Sequence, residues 1–230
     1  MNKNVEHVVL LMFENRSFDS LLGWLYEQGA PANHVPPLKQ GEPAYHGLHG
    51  LDLHDWVNAD ATGSIRSEPI RGAAGLNVPN VNPGEDFDHV STQLFETKKL
   101  AADSVPTMRG YVRDYVDVLR AQGKTAAEIE RCAQQVMQGY TPAQLPVLNG
   151  LAAHYAVCDL WFSSVPSQTN PNRAFALCGT SMGLVNNGFL EKPNPAAFVL
   201  EKALVTRATT ITRPTISTPA RTCSSASMRR

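Results

Sequence analysis

The chain has 230 residues, of which 43% are hydrophobic and 18% are charged, a composition typical of a globular protein with one or two hydrophobic cores. It contains no run of about 18 apolar residues, which excludes a membrane-spanning helix, and no signal peptide is visible, which predicts a cytoplasmic location. The cysteines show no metal-ligand spacing and are too few for a disulfide framework, so we interpret them as structural thiols. They are Cys132, Cys158, Cys178 and Cys223.

The net charge of -1 is unevenly distributed. Residues 1–201 carry 14 basic and 21 acidic side chains, whereas residues 202–230 carry six basic side chains and no acidic one. The end of the chain is also rich in Ser, Thr, Pro and Ala, a composition that buries too little surface to order itself. We therefore divide the chain into residues 1–200, which have the composition of a folded domain, and residues 201–230, a basic tail that is disordered or out of frame. A basic arm for nucleic acid or anionic lipid is the less favoured alternative.

The first predicted element is a buried β-strand. Residues 5–13 read VEHVVLLMF, a nearly unbroken apolar run that is typical of a strand covered on both faces of a parallel sheet. A short amphipathic helix follows, with Ser17 as its N-cap, and Gly29 and Pro31 end it. The polar residues between the two elements are therefore expected at the carboxyl end of the strand.

The middle of the chain combines an irregular segment with helices. Residues 31–84 are rich in Gly, Pro, His and Asn without periodicity, which predicts a long surface excursion of the kind that forms lids and binding loops. The helices are predicted over residues 86–102, 108–122, 125–138 and 143–155.

A second strand-loop-helix unit follows. Residues 155–162 read YAVCDLWF, a second strand candidate, and a polar loop leads to a helix over about residues 172–181 with Pro171 in its first turn. Ligands of open α/β sheets bind at the edge formed by the carboxyl ends of the strands. The two units are therefore expected to bring their polar residues together at that edge.

Two groups of these polar residues suit chemistry on phosphate. Glu14 and Asn15 supply two hard oxygen donors for a divalent cation; the alternative is that Glu14 caps the following helix and pairs with Arg16. Thr169 lies at a helix N-terminus, where a metal-activated hydroxyl can attack phosphorus; the alternative is that Thr169 merely caps that helix. Arg173, one turn later, has the geometry to grip phosphate oxygens.

A histidine cluster in HGLHGLDLHDW is a third candidate. His46, His49 and His54 with Asp55 have a spacing that can ligate zinc, but the stretch is rich in glycine and has no regular scaffold. The alternative is that these are solvated loop residues.

Four separated blocks of the sequence form a specific combination. They read HVVLLMFENRSFDSLLGWL, NPGEDFDHV, MRGYV and YTPAQLPVLNGLAAHYAVCDLWFSSVPSQTNPNRAFALCGTSMG. In this order, over about residues 5–190, they resemble the phosphoesterase family of bacterial and plant phospholipases C and acid phosphatases. That family is similar to the alkaline-phosphatase-like superfamily, so the resemblance implies an α/β fold, a three-layer α/β/α sandwich.

The resemblance also implies a metal-dependent site. The Glu-Asn pair of ENRSFD holds the metal in the family, and the Thr of the TNPNR block is a nucleophile that becomes phosphorylated. These roles fall on Glu14 and Asn15 as metal ligands, and on Thr169 as ligand and nucleophile. The residues assigned to the substrate side are Asn172, Arg173 and Glu85. The metal is one or more divalent ions; oxygen-rich ligands suit calcium, magnesium or manganese better than zinc.

Two departures from the family pattern matter. Glu85 stands where members commonly have His, and members often have His at the position of Ser20. Members also continue into a segment with an Asp-Glu-His-Gly-Gly type motif, and nothing after Phe198 matches it. A metal bound only by Glu14, Asn15 and Thr169 would be short of ligands, because oxygen-bound divalent ions take about six. We therefore expect residues 1–200 to be the N-terminal part of a phosphoesterase catalytic domain, in a truncated or frameshifted chain with a C-terminally incomplete sandwich and weak or no activity.

The function implied by the resemblance is metal-dependent hydrolysis of phospholipid head groups by a phospholipase C type reaction. The alternatives are an acid phosphatase that acts on phosphomonoesters and a non-catalytic remnant that binds an anion. The implied partners are a phospholipid or small phosphoester substrate with peripheral membrane contact, and no nucleic acid. Family members are often secreted.

Overall fold

The structure of the chain is a computed structural model that describes residues 6–13, 15–101 and 103–187. Glu14 and the predicted tail, residues 201–230, lie outside the described residues. The described part mixes helices with small β-sheets, which is compatible with the predicted α/β class.

The described part contains six α-helices, one short 3-10 helix and four short strands. The α-helices are α1 (Phe18–Leu22), α2 (Phe87–Phe95), α3 (Tyr111–Ala121), α4 (Ala126–Val136), α5 (Pro146–His154) and α6 (Thr169–Cys178). The 3-10 helix is Leu53–Trp56. The strands are β1 (Asn58–Ala59), β2 (Arg66–Ser67), β3 (Ile70–Arg71) and β4 (Gln138–Gly139).

The strands form two separate pairs. β1 lies antiparallel to β2, with Asn58 opposite Ser67. β3 lies parallel to β4, with Ile70 opposite Gln138. Apart from the 3-10 helix and β1–β3, residues 31–84 are irregular, as predicted.

The hydrophobic core lies between α3 and α4. Each helix contributes four core side chains at i, i+3, i+4 and i+7, the spacing that places residues on one face of a helix. These side chains are Val112, Tyr115, Val116 and Leu119 on α3, and Ile129, Cys132, Ala133 and Val136 on α4. Because the two stripes face each other, the helix pair forms a small core without a large sheet.

Local side-chain chemistry sets the helix boundaries. Ser17 is the N-cap of α1, as predicted: its hydroxyl accepts the Ser20 backbone N–H at 3.1 Å. Thr125 and Glu128 form a reciprocal capping box at the start of α4. The helix predicted over 86–102 is too long, because α2 ends where Glu96 adopts a left-handed φ of 58°.

The two predicted buried strands are wrong within the described residues. Residues 6–13 form no strand, and Val8 and Val9 are 86% and 89% exposed. Residues 155–162 form no strand either, and Trp161 is 57% exposed. A strand needs a neighbour to pair its N–H and C=O groups, and the described strands pair only with one another. Both segments are almost continuously apolar, which predicted burial on both faces, but no described element covers either segment.

Two further expectations concern cysteines and membranes. Cys132 is buried in the core, as a structural thiol should be, whereas Cys158 and Cys178 are free and exposed, so that interpretation is wrong for those two. Cys223 lies outside the described residues.

Among the helices that the structure describes, none combines the length and apolarity needed to cross a bilayer.

Candidate functional site

The structure brings Asn15 and Thr169 into contact, although 154 positions separate them. The Thr169 hydroxyl donates to Asn15 Oδ1 at 3.4 Å. Asn15 has a left-handed φ of 63°, a conformation that asparagine tolerates better than most residues. It therefore turns the chain between residues 6–13 and α1 while its amide faces the start of α6.

Thr169 is the first residue of α6 and not its cap. Gln168 occupies the N-cap position, and its side chain makes no capping hydrogen bond. The alternative in which Thr169 only caps the helix therefore does not hold. Its hydroxyl is engaged across the site with Asn15 instead.

Asn172 organises the loop that leads into α6. Its Nδ2 donates to the carbonyls of Val165, Ser167 and Gln168 at 3.0–3.1 Å, and its Oδ1 accepts the Val165 N–H at 3.0 Å. Both ends of the amide are thus used to fold the loop just ahead of Thr169. This geometry corresponds to a supporting position next to the site.

The other two residues assigned to the substrate side lie nearby on the surface. Glu85 is exposed, and its Oε1 accepts a hydrogen bond from Gln168 Nε2 at 3.4 Å. Arg173 is exposed on α6 four residues after Thr169, so the two residues share one face of that helix. The structure therefore places Asn15, Glu85 and Arg173 around the N-terminal end of α6.

A histidine-carboxylate pair fixes the start of α2, from which Glu85 extends. His89 Nδ1 lies 2.7 Å from Asp114 Oδ1 on α3, and Gln93 Nε2 donates to Asp114 Oδ2 at 2.8 Å. Gln93 Nε2 also donates to the Gly84 carbonyl at 2.7 Å. Burial raises the pKa of Asp114, although the hydrogen bonds from Gln93 and His89 oppose that effect. This network connects the site to the α3–α4 core.

Two asparagines that the sequence analysis missed also reach the site. Asn186 and Asn187 lie in the loop after α6 and hydrogen-bond to residues on both sides of Thr169. The sequence carried only a weak signal for them, since consecutive asparagines in a loop are common and their partners are set by the tertiary fold.

Glu14 lies outside the described residues, so its position in the site stays a prediction. Arg16, its suggested partner in the capping alternative, donates from Nη1 to the Val78 carbonyl at 2.6 Å and lies over the Tyr140 ring. Ser17 caps α1, as described above. Arg16 and Ser17 therefore both have structural roles within the described residues.

The predicted histidine cluster does not converge. His46 Nδ1 lies 3.1 Å from Asp159 Oδ2, and His54 Nδ1 lies 2.6 Å from Glu68 Oε2. His49 lines a separate small cavity with Tyr26 and Tyr45. Within the described ranges, no group of three or more His, Cys, Asp or Glu side chains could hold a metal ion. The zinc interpretation is therefore wrong, because the irregular segment sends each imidazole to a different neighbour.

The site nevertheless has donors that suit a hard cation. Asn15 Oδ1 and Thr169 Oγ1 are both oxygen atoms, and they face each other at 3.4 Å. Amide and hydroxyl oxygens are the kind of ligand that divalent ions such as magnesium, manganese and calcium accept. These two residues therefore fit the predicted metal in chemistry and in proximity.

The chain belongs to the phosphoesterase family, whose model matches residues 5–211. The match therefore includes the first part of residues 201–230, the segment that the composition separated as a tail. Membership is consistent with a hydroxyl and an amide oxygen meeting at a helix N-terminus, a place where phosphate groups bind.

Three curated relatives of the chain are phospholipases C by name. Non-specific phospholipase C3 of Arabidopsis thaliana is 32% identical over 186 residues, which are 80% of this chain and 31% of that protein. Non-specific phospholipase C1 of Arabidopsis thaliana is 31% identical over 183 residues, 80% of this chain and 29% of that protein. Non-hemolytic phospholipase C of Pseudomonas aeruginosa is 25% identical over 189 residues, 81% of this chain and 22% of that protein. The chain thus spans less than a third of the length of these relatives.

Proposed function

We propose that this chain carries the nucleophile of a metal-dependent phosphoester hydrolase of phospholipase C type. The observation that supports the proposal most strongly is the contact between Thr169 and Asn15. The two residues are far apart in the sequence, and the resemblance assigned both of them to one site. Membership in the phosphoesterase family gives the reaction class.

The Thr169 oxygen is the attacking group in this proposal. It forms a bond to phosphorus in line with the leaving oxygen, the bond from phosphorus to that oxygen breaks, and the departing alcohol takes up the proton that the hydroxyl gives up. Water then attacks phosphorus, which restores the Thr169 hydroxyl and releases the phosphorylated head group. The Asn15 amide orients the hydroxyl and does not remove its proton, because an amide oxygen is too weak a base.

The start of α6 favours a negatively charged group. The helix dipole adds partial positive charge at the first turn of this ten-residue helix. Pro171 has no N–H and the Asn170 N–H donates to Asn187 Oδ1, so the dipole and side chains favour the phosphate there more than free backbone donors do. Arg173 lies on the same face and supplies a guanidinium, which binds phosphate oxygens through two parallel hydrogen bonds. These groups bind and orient the substrate.

Asn15 and Thr169, with Glu14, would hold the divalent ion. When bound, such an ion supplies charge that stabilises phosphoryl oxygens and lowers the pKa of a coordinated hydroxyl. The described residues contribute the geometry that positions the hydroxyl against phosphorus. We also propose the three-layer α/β/α sandwich as the fold of the family domain.

The substrate that we favour is a phospholipid, because the relatives described above are named as phospholipases C. A phosphomonoesterase is the alternative within the same chemistry. The two are separated by comparing p-nitrophenyl phosphorylcholine with p-nitrophenyl phosphate as substrates. We expect faster hydrolysis of the diester; a preference for the monoester would contradict the phospholipase assignment.

The test of the nucleophile is Thr169→Ala. We expect the hydrolysis, which is weak in a chain of this length, to be abolished in this variant, and Thr169→Ser to retain part of it, since serine supplies a hydroxyl at the same position. Thr97→Ala, an exposed threonine away from the site, is the matched control and should behave as the unmodified chain. Equal activity of Thr169→Ala and the control would overturn the proposal.

The metal assignment has a test that does not depend on turnover. Calorimetric titration of the unmodified chain with Mg²⁺, Mn²⁺, Ca²⁺ and Zn²⁺ is compared with the same titration of Asn15→Ala. We expect binding heat for at least one ion and a loss of affinity of about tenfold or more in the variant. Identical titrations would show that Asn15 does not bind the ion.

A further inference from the structure

We propose that Asn187 is a positioning residue for the Thr169 hydroxyl, with Asn186 fastening the same loop. Asn187 Oδ1 accepts the backbone N–H of Asn170 at 2.8 Å, and the Asn187 backbone N–H donates to Gln168 Oε1 at 2.8 Å. Asn187 thus binds the residue before Thr169 and the residue after it. Thr169 therefore lies between two residues that Asn187 holds, one through its side chain and the other through its backbone N–H.

These contacts replace the local cap that α6 lacks. Most helices begin with a side chain that accepts an N–H of the first turn, but Gln168 at the N-cap position makes no such bond. Asn187 supplies the acceptor from 17 positions further along the chain. A local cap would stabilise the helix alone, whereas this distant cap also fixes where the helix begins relative to the rest of the site.

Asn186 connects the same loop to α2. Its Oδ1 accepts the Ser167 hydroxyl at 2.8 Å and the backbone N–H of Phe87 at 2.7 Å. Gln168 Nε2 donates to Glu85 Oε1 from the same loop. Because α2 is held to α3 through Asp114, a chain of hydrogen bonds connects the loop before Thr169 to the core.

The apolar packing of α6 is too sparse to do this alone. Pro171 is the only buried residue of this helix, and Leu177 is 84% exposed. The position of the helix start therefore depends on its polar contacts. A nucleophile displaced by about 1 Å loses roughly a hundredfold in rate, so the asparagine contacts control the chemical step more than the binding of substrate.

The inference rests on the proposed hydrolysis by Thr169 and is tested with Asn187→Leu, which has a similar volume but no acceptor. We expect kcat to fall roughly 10–100-fold with KM changed by less than about threefold. Asn187→Asp keeps an acceptor oxygen and should recover most of the kcat. Asn82→Leu changes an exposed asparagine outside this network and is the control. An Asn187→Leu variant with unchanged kcat would overturn the inference.

Loss of fold is separated from loss of positioning by two further measurements. Removal of one helix cap should lower the melting temperature by about 2–4 °C; a collapse of the melting transition in Asn187→Leu and in Asn187→Asp alike would show a structural role only and overturn the inference. Hydrogen exchange of the Asn170 amide should be slow in the unmodified chain and in Asn187→Asp, and fast in Asn187→Leu.

The exchange measurement also distinguishes the two proposals. If the unmodified chain hydrolyses neither substrate, the proposed function fails, and the asparagine contact is judged on the Asn170 amide alone. Fast exchange of that amide in the unmodified chain would show that the contact is not formed. Slow exchange that Asn187→Leu abolishes supports the contact independently of turnover.

Discussion

The α3–α4 pair and the segments around the site are both rich in apolar residues, yet they differ in burial. The eight side chains of the core between α3 and α4 are at most 7% exposed. In residues 6–13 and 155–162, side chains such as Val9, Leu160 and Trp161 are between 49% and 89% exposed. The difference lies in the kind of partner that each segment needs.

A helix satisfies its own backbone and needs a partner only for its apolar stripe. α3 finds that partner in α4, a few residues later in the chain, so the pair requires no distant contact. An apolar strand needs a neighbour for its backbone as well. The site region instead depends on hydrogen bonds between distant residues, such as Thr169 with Asn15 and Asn187 with Asn170. The core and the proposed site are therefore held together by different kinds of contact.

The largest change in the free energy of unfolding is expected from Leu119→Ala. Leu119 is fully buried in the α3–α4 core, and truncation of such a leucine leaves a cavity that costs about 3–4 kcal/mol of unfolding free energy. Leu177→Ala, on the exposed face of α6, should change it by less than about 0.5 kcal/mol. Urea unfolding followed by circular dichroism measures both. Equal losses would show that α6 is as tightly packed as the core.

A second test concerns the junction of α2 and α3 at Gly110. A Cβ on Gly110 would lie 1.8 Å from the Thr92 carbonyl oxygen, so Gly110→Ala must push the two helices apart. We expect a loss of about 2–3 kcal/mol. Gly150 in α5 has no atom within 4 Å of such a Cβ, and Gly150→Ala should stabilise the chain by about 0.5–1 kcal/mol. A neutral Gly110→Ala would contradict the close packing of α2 on α3.

The third test uses pH and the buried Asp60 on the edge of the core. Burial alone would raise its pKa, but the Ile65 N–H, Arg120 and Thr62 donate to the carboxylate and lower its pKa to about 2. A group with a lowered pKa in the folded state stabilises the fold above its unfolded pKa, near 3.8. That contribution is lost as pH falls from about 4 to about 2.

For Asp60 we expect about 2 kcal/mol of stability to disappear over this window. Asp60→Asn should cost about 2 kcal/mol at pH 7 and should flatten the pH dependence below pH 4. Thermal unfolding at pH 7, pH 4 and pH 2.5 measures both effects. A variant whose stability falls with acid as steeply as that of the unmodified chain would contradict the pKa of about 2 for Asp60.

The smallest expected effect on stability concerns Asn15, which separates stability from function most directly. Because Asn15 has a left-handed φ of 63°, Asn15→Gly should stabilise the chain by about 0.5 kcal/mol, and Asn15→Ala should destabilise it by about 1 kcal/mol. Both variants lose the amide oxygen, so both should lose metal affinity and hydrolysis. If the two variants change the melting temperature in opposite directions but lose metal binding equally, the Asn15 side chain serves the site and not the stability of the fold. Retained binding in Asn15→Gly would show that only its backbone matters.

The sequence by itself determined that the main helices exist and which family the chain belongs to, although not where each helix ends. The stripes of α3 and α4, the Ser17 cap and the irregular segment 31–84 follow from local spacing and side-chain chemistry, which act within a few residues. The motif blocks identified the phosphoesterase family and named Asn15 and Thr169 as one site. These are short-range or pattern-based properties, so they can be seen without coordinates.

Only the tertiary structure decided which side chains meet and which segments are covered. Local pattern predicted burial of residues 6–13 and 155–162, but burial requires a partner element, and none among the described residues covers them. Pattern also grouped His46 with His54, whereas the folded chain pairs them with Asp159 and Glu68. The sequence carried only a weak signal for the contacts of Asn186 and Asn187, because a hydrogen bond depends on distance in space and not on separation along the chain.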